Sequence, residues 1–268
     1  MQERLIKLLE AITGAAAPVS VRELMEMTGL PKPTIYRNVA SLVECGFLDE
    51  VEQGRYVLGM RFVRIALTGK ADSHVIRAVS AMMQKTVTDL GETAFFARYR
   101  GGRVDIVAVE TPSDPAVSHI YPGLGPRPVH ACSSAKAIAA HLHPDMQLDL
   151  LDTTPVRFTP NTITNPELLE RELKQVRRYG YAVCNGEIDE GVTSVAVPIH
   201  IERLGSVFSI GVVGPSARIA PQIQNRLLPV LTDQALRAAA ALQHCSVLDV
   251  RPEFPDVETP GPTPRLQG

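Results

Sequence analysis

Lys32, Thr34, Tyr36, Arg37, Asn38 and Ser41 fall on one side of a short helical stretch, opposite the apolar positions Ile35, Val39, Leu42 and Val43. Together they offer hydrogen-bond donors, two cations and one aromatic ring, a set suited to gripping phosphates and reading base edges. Arg22 before this stretch and Arg55 after it add cations that can meet phosphate oxygens. A second set has different chemistry. His130, Cys132 and Cys184 lie on segments expected to share one side of the fold, and imidazole with thiolate is a ligand set for zinc. The same thiols would suit a redox sensor if their pKa were lowered. A third reading makes the cysteines small buried wall residues and gives His130 a backbone hydrogen bond, and all three stay open. Glu187 and Asp189 stand beside Gly191, where ordering a loop suits them better than acid–base chemistry, which needs two groups with pKa values pushed apart. The chain has no G-x-S-x-G elbow, no phosphate-cradling glycine loop and no H-E-x-x-H helix, so it is not expected to be an enzyme.

The first set needs a helix to carry it and a partner to hold that helix. Residues 22–28 supply the partner: Val21, Leu24 and Met25 recur at helical spacing, and Thr28-Gly29-Leu30 breaks the run. The second helix enters through Pro31-Lys32-Pro33, where missing amide protons cost nothing because first-turn amides have no helical partner. Cys45-Gly46 ends it, and residues 47–51 and 55–58 read as two strands turned at Gln53-Gly54. An earlier helix carries Leu5, Ile6, Leu8, Leu9 and Ile12 on one stripe. Helix, helix-turn-helix and hairpin in this order form a winged helix-turn-helix over residues 1–59. Lys and Arg barely outnumber Asp and Glu across residues 1–70, and Asp49, Glu50 and Glu52 surround the wing. Affinity for DNA is therefore expected to depend on a dimer reading a two-fold symmetric site.

Residues 60–91 read as connector helices. Val75, Val79, Met82, Met83 and Leu90 give a helix over 72–90, with Asp72 or Ser73 as its cap, and Phe62, Val63, Ala66 and Leu67 give a second apolar surface able to pair two chains. From Thr93 the period changes to that of strands. Residues 93–98 and 103–110 flank Gly101-Gly102 as a hairpin, and 116–121 reads as a further strand. Helices follow over 133–141 and 166–179, strands over 181–184, 193–200 and 205–213, and a last helix over 221–244. The expected class is α+β, with helices packed on a sheet over residues 92–248 that can hold a small molecule.

The 268 residues suit two ordinary domains, and a formal charge of −2 with 45% hydrophobic residues allows a real core. No apolar run is long enough to span a bilayer, and the N-terminus lacks a signal-peptide profile, so a cytoplasmic protein without membrane contact is expected. Cys45, Cys132, Cys184 and Cys245 are widely spaced and argue against structural disulfides. Residues 249–268, rich in proline, are expected to form a flexible tail. No cofactor is expected.

The sequence resembles the isocitrate lyase regulator (IclR) family of bacterial transcription factors over residues 1 to about 245. Gly29-Leu30-Pro31-Lys32-Pro33-Thr34 is similar to that family's entry into its recognition helix, and Gly54-Arg55-Tyr56-Val57-Leu58-Gly59 to the end of its wing. Arg127-Pro128-Val129-His130-Ala131, with Lys136-Ala137, resembles a wall of the effector pocket. Gly180-Tyr181-Ala182, Gly191-Val192, Ala196, Pro198, Gly205 and Gly214-Pro215 carry the C-terminal signature. The resemblance implies a GAF-like effector domain, homodimers that often associate into tetramers, and operator binding altered by a small metabolite, with repression the favoured sign. It also implies that backbone amides at Ser133 and Ser134 hold a carboxylate, which suits the partial positive charge of a helix N-terminus. His130, Cys132, Cys184, Ser194, Gly211 and Val213 complete the implied effector set. An acidic residue is expected where Cys184 stands, a cysteine at Ser194 and serines at Gly211 and Val213. Fewer polar anchors and a side-chain-free Gly211 predict a roomier, more apolar cavity, suited to an aromatic acid rather than a two-carbon oxoacid.

Overall fold

The computed structural model describes residues 2–248 except 16, 60, 63–64, 66–71, 115–118, 143 and 202–204. The readings for the first connector segment and for the tail beyond 248 therefore lie largely or wholly outside the described residues. In the N-terminal unit, α1 (Gln2–Thr13) buries Leu8 and Ile12 but leaves Ile6 exposed. A two-residue strand β1 (Val19–Ser20), too short to have a sequence period, leads directly into α2 (Val21–Thr28). Ser20 and Glu23 form a capping box there: the Ser20 hydroxyl accepts the Glu23 amide while the Glu23 carboxylate accepts the Ser20 amide at 2.7 Å. Gly29 closes α2 in the left-handed conformation, and Pro31 opens α3 (Lys32–Glu44). The wing is β2 (Leu48–Glu52) and β3 (Arg55–Leu58), and β1 adds to it in the antiparallel order β1-β3-β2. Leu8, Leu24, Ile35, Val39, Leu42 and Leu48 fill one small core. At Gly59 a Cβ would strike the backbone of residues 46–48, so glycine lets the wing's exit pass directly over the end of α3.

The C-terminal unit begins with α4 (Asp72–Leu90). Six antiparallel strands follow in space as β6-β5-β4-β9-β8-β7: β4 (Thr93–Arg100), β5 (Arg103–Glu110), β6 (Gly125–Arg127), β7 (Ala182–Asn185), β8 (Val192–Ile201) and β9 (Gly205–Pro215). The strand expected over 116–121 is not found in its described part, since residues 119–121 are irregular and the edge strand is β6. Helices α5 (Ser133–Ala139), α6 (Pro144–Leu151) and α7 (Pro166–Tyr179) come between β6 and β7. Instead of one helix over 221–244, a short α8 (Ser216–Ile219) passes through a 3₁₀ turn and a π turn into α9 (Leu228–Leu248). Pro221 and Pro229 lack the amide protons a continuous helix would need there.

Strand alternation sends neighbouring residues to opposite faces of this sheet. Phe96 and Phe208 stack with centroids 5.5 Å apart on the face with Arg98, which reaches Asp72 of α4, and α9 packs against α4 and the sheet. Phe95, Ser209 and Gly211 face the other way, where the Ser209 hydroxyl donates to the Ser134 carbonyl of α5. Val75, Val79, Met83, Val87 and Leu90 are buried in the sheet domain's core. The α4 stripe is thus used inside its own domain. Among the described residues no helix is long and apolar enough to cross a membrane.

Candidate functional site

Helix α3 turns Ile35, Val39 and Leu42 inward and leaves Lys32, Tyr36, Arg37 and Ser41 exposed, with Thr34 half-buried. The Lys32 ammonium lies 5.6 Å from the centre of the Tyr36 ring, so cation and aromatic form one exposed patch at the start of the helix. Asn38 departs from expectation: it is 8% exposed. Position 38 is three residues past Ile35 and four before Leu42, which puts it at the edge of the buried stripe rather than opposite it. Arg55 keeps a partly exposed side chain but is already engaged within the unit. It donates to the Pro18 carbonyl at 2.7 Å and stands 3.7 Å from Glu23, tying β3 to the entry of α2. Arg22 is exposed on α2 and pairs with Glu26 one turn on, an arrangement that a phosphate can displace at little cost.

In the C-terminal unit a cavity of about 570 Å³, mouth included, lies between the sheet and the start of α5. Its apolar walls are Phe95, Ile106, Ile120, Ile188, Val192 and Val213; Cys132, Cys184 and Ser194 line its inner side, and Tyr121, Pro122, Arg127 and Asp189 also border it. Ser133 and Ser134 are wholly buried and do not line it. Their hydroxyls are engaged in the wall, Ser133 with the Ser194 hydroxyl at 2.7 Å and Ser134 with the Cys132 sulfur at 3.1 Å. Of the helix start, Cys132 is the residue that reaches the cavity.

Gly211 does not open extra room. A Cβ there would fall 2.5 Å from Phe95 Cζ and closer still to the Val195 carbonyl oxygen, so the aromatic ring of β4 occupies the space that glycine leaves. The cavity gains an aromatic wall instead of added volume. His130 is not part of this cavity either. Its Nε2–H donates to the Val156 carbonyl at 2.8 Å and its ring stacks on Phe158, so it lines a separate groove beside α6 and α7 with Val129, Leu151, Leu169 and Leu173. The proposed convergence of His130 with Cys132 and Cys184 therefore fails, and among the described residues no group of three or more His, Cys, Asp or Glu could hold a metal.

Cys184 donates to the Ala131 carbonyl at 2.9 Å, and burial, aided by the charge of Glu187, pushes its thiol up to about 12. A thiol held neutral in this way is a poor nucleophile and a poor sensor. Beneath the loop at 186–191, Lys136 of α5 donates to both Glu187 oxygens at 2.8 Å, and both side chains are buried. Burial raises the Glu187 pKa even though Lys136 opposes the shift. Glu187 thus fastens the loop carrying Ile188 and Asp189 to α5, while Asp189 itself is exposed. Phe95, Ile106, Ile120, Ile188 and Val192 are not marked as wall residues by the sequence, whereas Arg127 heads the stretch whose resemblance implies a pocket wall and does border the cavity. The strand period placed the first two on a sheet face, but nothing local marked that face as a cavity wall.

Both units match known proteins. Residues 3–52 match the description "IclR helix-turn-helix domain", and residues 70–240 match "Bacterial transcriptional regulator IclR C-terminal". The chain is 28% identical over 237 residues to a protein of Cupriavidus necator described as probable transcriptional regulator SauR, covering 88% of this chain and 92% of that one. It is 25% identical to the transcriptional repressor IclR of Escherichia coli, over 80% of this chain and 79% of the relative. Among solved structures, an IclR homolog of Microbacterium hydrocarbonoxydans complexed with 4-hydroxybenzoate superposes with a TM-score of 0.55 at 26% identity, covering 91% of this chain and 99% of that one.

Proposed function

Because the chain belongs to the IclR family of bacterial transcriptional regulators, we propose that it is a cytoplasmic repressor of a catabolic operon whose grip on a two-fold symmetric operator is set by a small organic acid. DNA binding and regulation come with the family; the sign, the acid and the dimer belong to this reading. Lys32, Thr34, Tyr36, Arg37 and Ser41 of α3 meet the major groove, and Arg22 meets the backbone. The effector sits against Phe95, Cys132, Cys184, Ser194 and Val213, within a GAF-like domain.

The observation that carries the reading is the half-open, mostly apolar cavity with the Phe95 ring on its wall. That wall suits a flat aromatic acid, in keeping with the 4-hydroxybenzoate held by the Microbacterium relative. The test is an anisotropy titration of the purified chain against DNA from upstream of its own gene, with and without benzoate, 4-hydroxybenzoate, glyoxylate and pyruvate. Specific binding weakened by the aromatic acids supports the reading. A response to glyoxylate or pyruvate alone removes the aromatic acid and leaves the regulator.

A further inference from the structure

Arg127, at the end of edge strand β6, is a cation placed where the cavity has no other use for one. The strand register sets it opposite Val104, with its side chain at the cavity. Nη2 donates to the Pro122 carbonyl at 2.5 Å and to the Gly123 carbonyl at 2.7 Å, which holds the guanidinium in place. Nε is buried and has no hydrogen-bond partner among the described residues. Among the described residues the guanidinium's hydrogen-bond partners are these neutral carbonyls, and no carboxylate pairs with it. The acid that borders the same cavity, Asp189, is exposed.

A half-buried guanidinium fixed by carbonyls, with one donor unpaired beside an apolar cavity, leaves desolvation uncompensated. A ligand carboxylate would give the guanidinium the counter-charge that its two carbonyl partners do not, and the planar group matches carboxylate geometry. We propose that Arg127 anchors the acid group of the effector, holding it at the β6 side of the cavity while the rest of the ligand lies against Phe95. This places the acid on a side chain rather than on the backbone at Ser133 and Ser134, whose side chains are packed behind the wall. The inference rests on the proposed aromatic-acid reading of the cavity.

The experiment compares benzoate with its neutral isostere benzamide by calorimetric titration of the full chain, wild type and Arg127→Met. The wild type should bind benzoate more tightly than benzamide. In Arg127→Met the benzoate affinity should fall roughly ten- to a hundred-fold, to the level of benzamide, while benzamide affinity and operator binding stay as they were. If both compounds bind the wild type equally, or the variant still discriminates between them, Arg127 is not the anchor although the aromatic cavity stands. If neither compound binds the wild type, the aromatic-acid reading falls and takes this inference with it. Should Arg127→Met not fold, Arg127→Lys decides. It keeps the charge without the planar fork, so a loss confined to benzoate supports the anchor and unchanged affinity for both compounds overturns it.

Discussion

Arg37 and Asn38 are adjacent in the chain and opposite in exposure. The sequence places both on the polar side of α3, yet one turn of a helix advances slightly less than four residues, so position 38 drifts toward the buried edge while 37 stays outside. Arg37→Ala should therefore weaken operator affinity by about 1 to 3 kcal/mol with no loss of folding stability or of effector binding. Anisotropy at two salt concentrations checks it, since loss of a phosphate contact also flattens the salt dependence. Unchanged affinity would take Arg37 off the reading face. The same limit of sequence reading recurs at Gly211. Its missing side chain is plain in the sequence; that Phe95 from another strand fills the gap is not, because a contact spanning 116 positions leaves no local pattern. His130 was legible as a residue with chemistry, and its backbone hydrogen bond was one of the readings left open. Its direction, away from Cys132 only two residues on, was not.

Elements read better than contacts because their signals are local. Helix α4 spans the residues its period predicts, α3 starts at its prolines, and Gly54 turns the wing. What escaped was short or interrupted: β1 has two residues, and the last helix is divided near its prolines. The junction between α5 and the loop at 186–191 also has no sequence period, though Lys136 and Glu187 hold it together. Lys136→Met should leave Glu187 buried without its counter-ion and cost about 3 to 5 kcal/mol at neutral pH. Burial already raises the Glu187 pKa above its unfolded value, and losing Lys136 raises it further. A carboxyl with a raised folded pKa favours the fold below the unfolded value and loses that advantage as pH rises through the folded one. The stability deficit of Lys136→Met should therefore shrink as pH falls from 7 toward the ordinary carboxylate range, as urea melts across that interval can show. Adding Glu187→Gln should recover part of the deficit at neutral pH. A deficit independent of pH would mean that the lost packing, rather than the stranded charge, is what matters.

For the effector to govern the operator, a change at the cavity has to reach the point where the chain arrives from the DNA-reading unit. Strand β4 connects the two layers involved. Phe95 lies at the cavity, and three positions later Arg98, 1% exposed, crosses to the opposite layer and donates to Asp72 at 2.5 Å, with Arg100 adding a second contact to the same carboxylate. Asp72 is the first residue of α4, so a shift of β4 under a bound ligand is felt at the helix that begins there. Burial pulls the Arg98 guanidinium below its ordinary pKa, and the charge of Asp72, with a smaller part from Asp105, opposes that. Coupling of about 1 to 3 kcal/mol would change operator affinity roughly 5- to 150-fold. Linkage then requires that operator DNA change benzoate affinity by the same factor. Asp72→Asn keeps an acceptor for Arg98 while removing the charge, and it should bring that factor toward one with little change in the affinity for either ligand alone. Two titrations in each direction, benzoate with and without operator and operator with and without benzoate, measure the factor twice for each protein. An undiminished factor in Asp72→Asn would place the route elsewhere than the junction of β4 with α4. Unequal factors in the wild type would mean that the two titrations report more than one assembly, since a single dimer on a single operator must obey the equality.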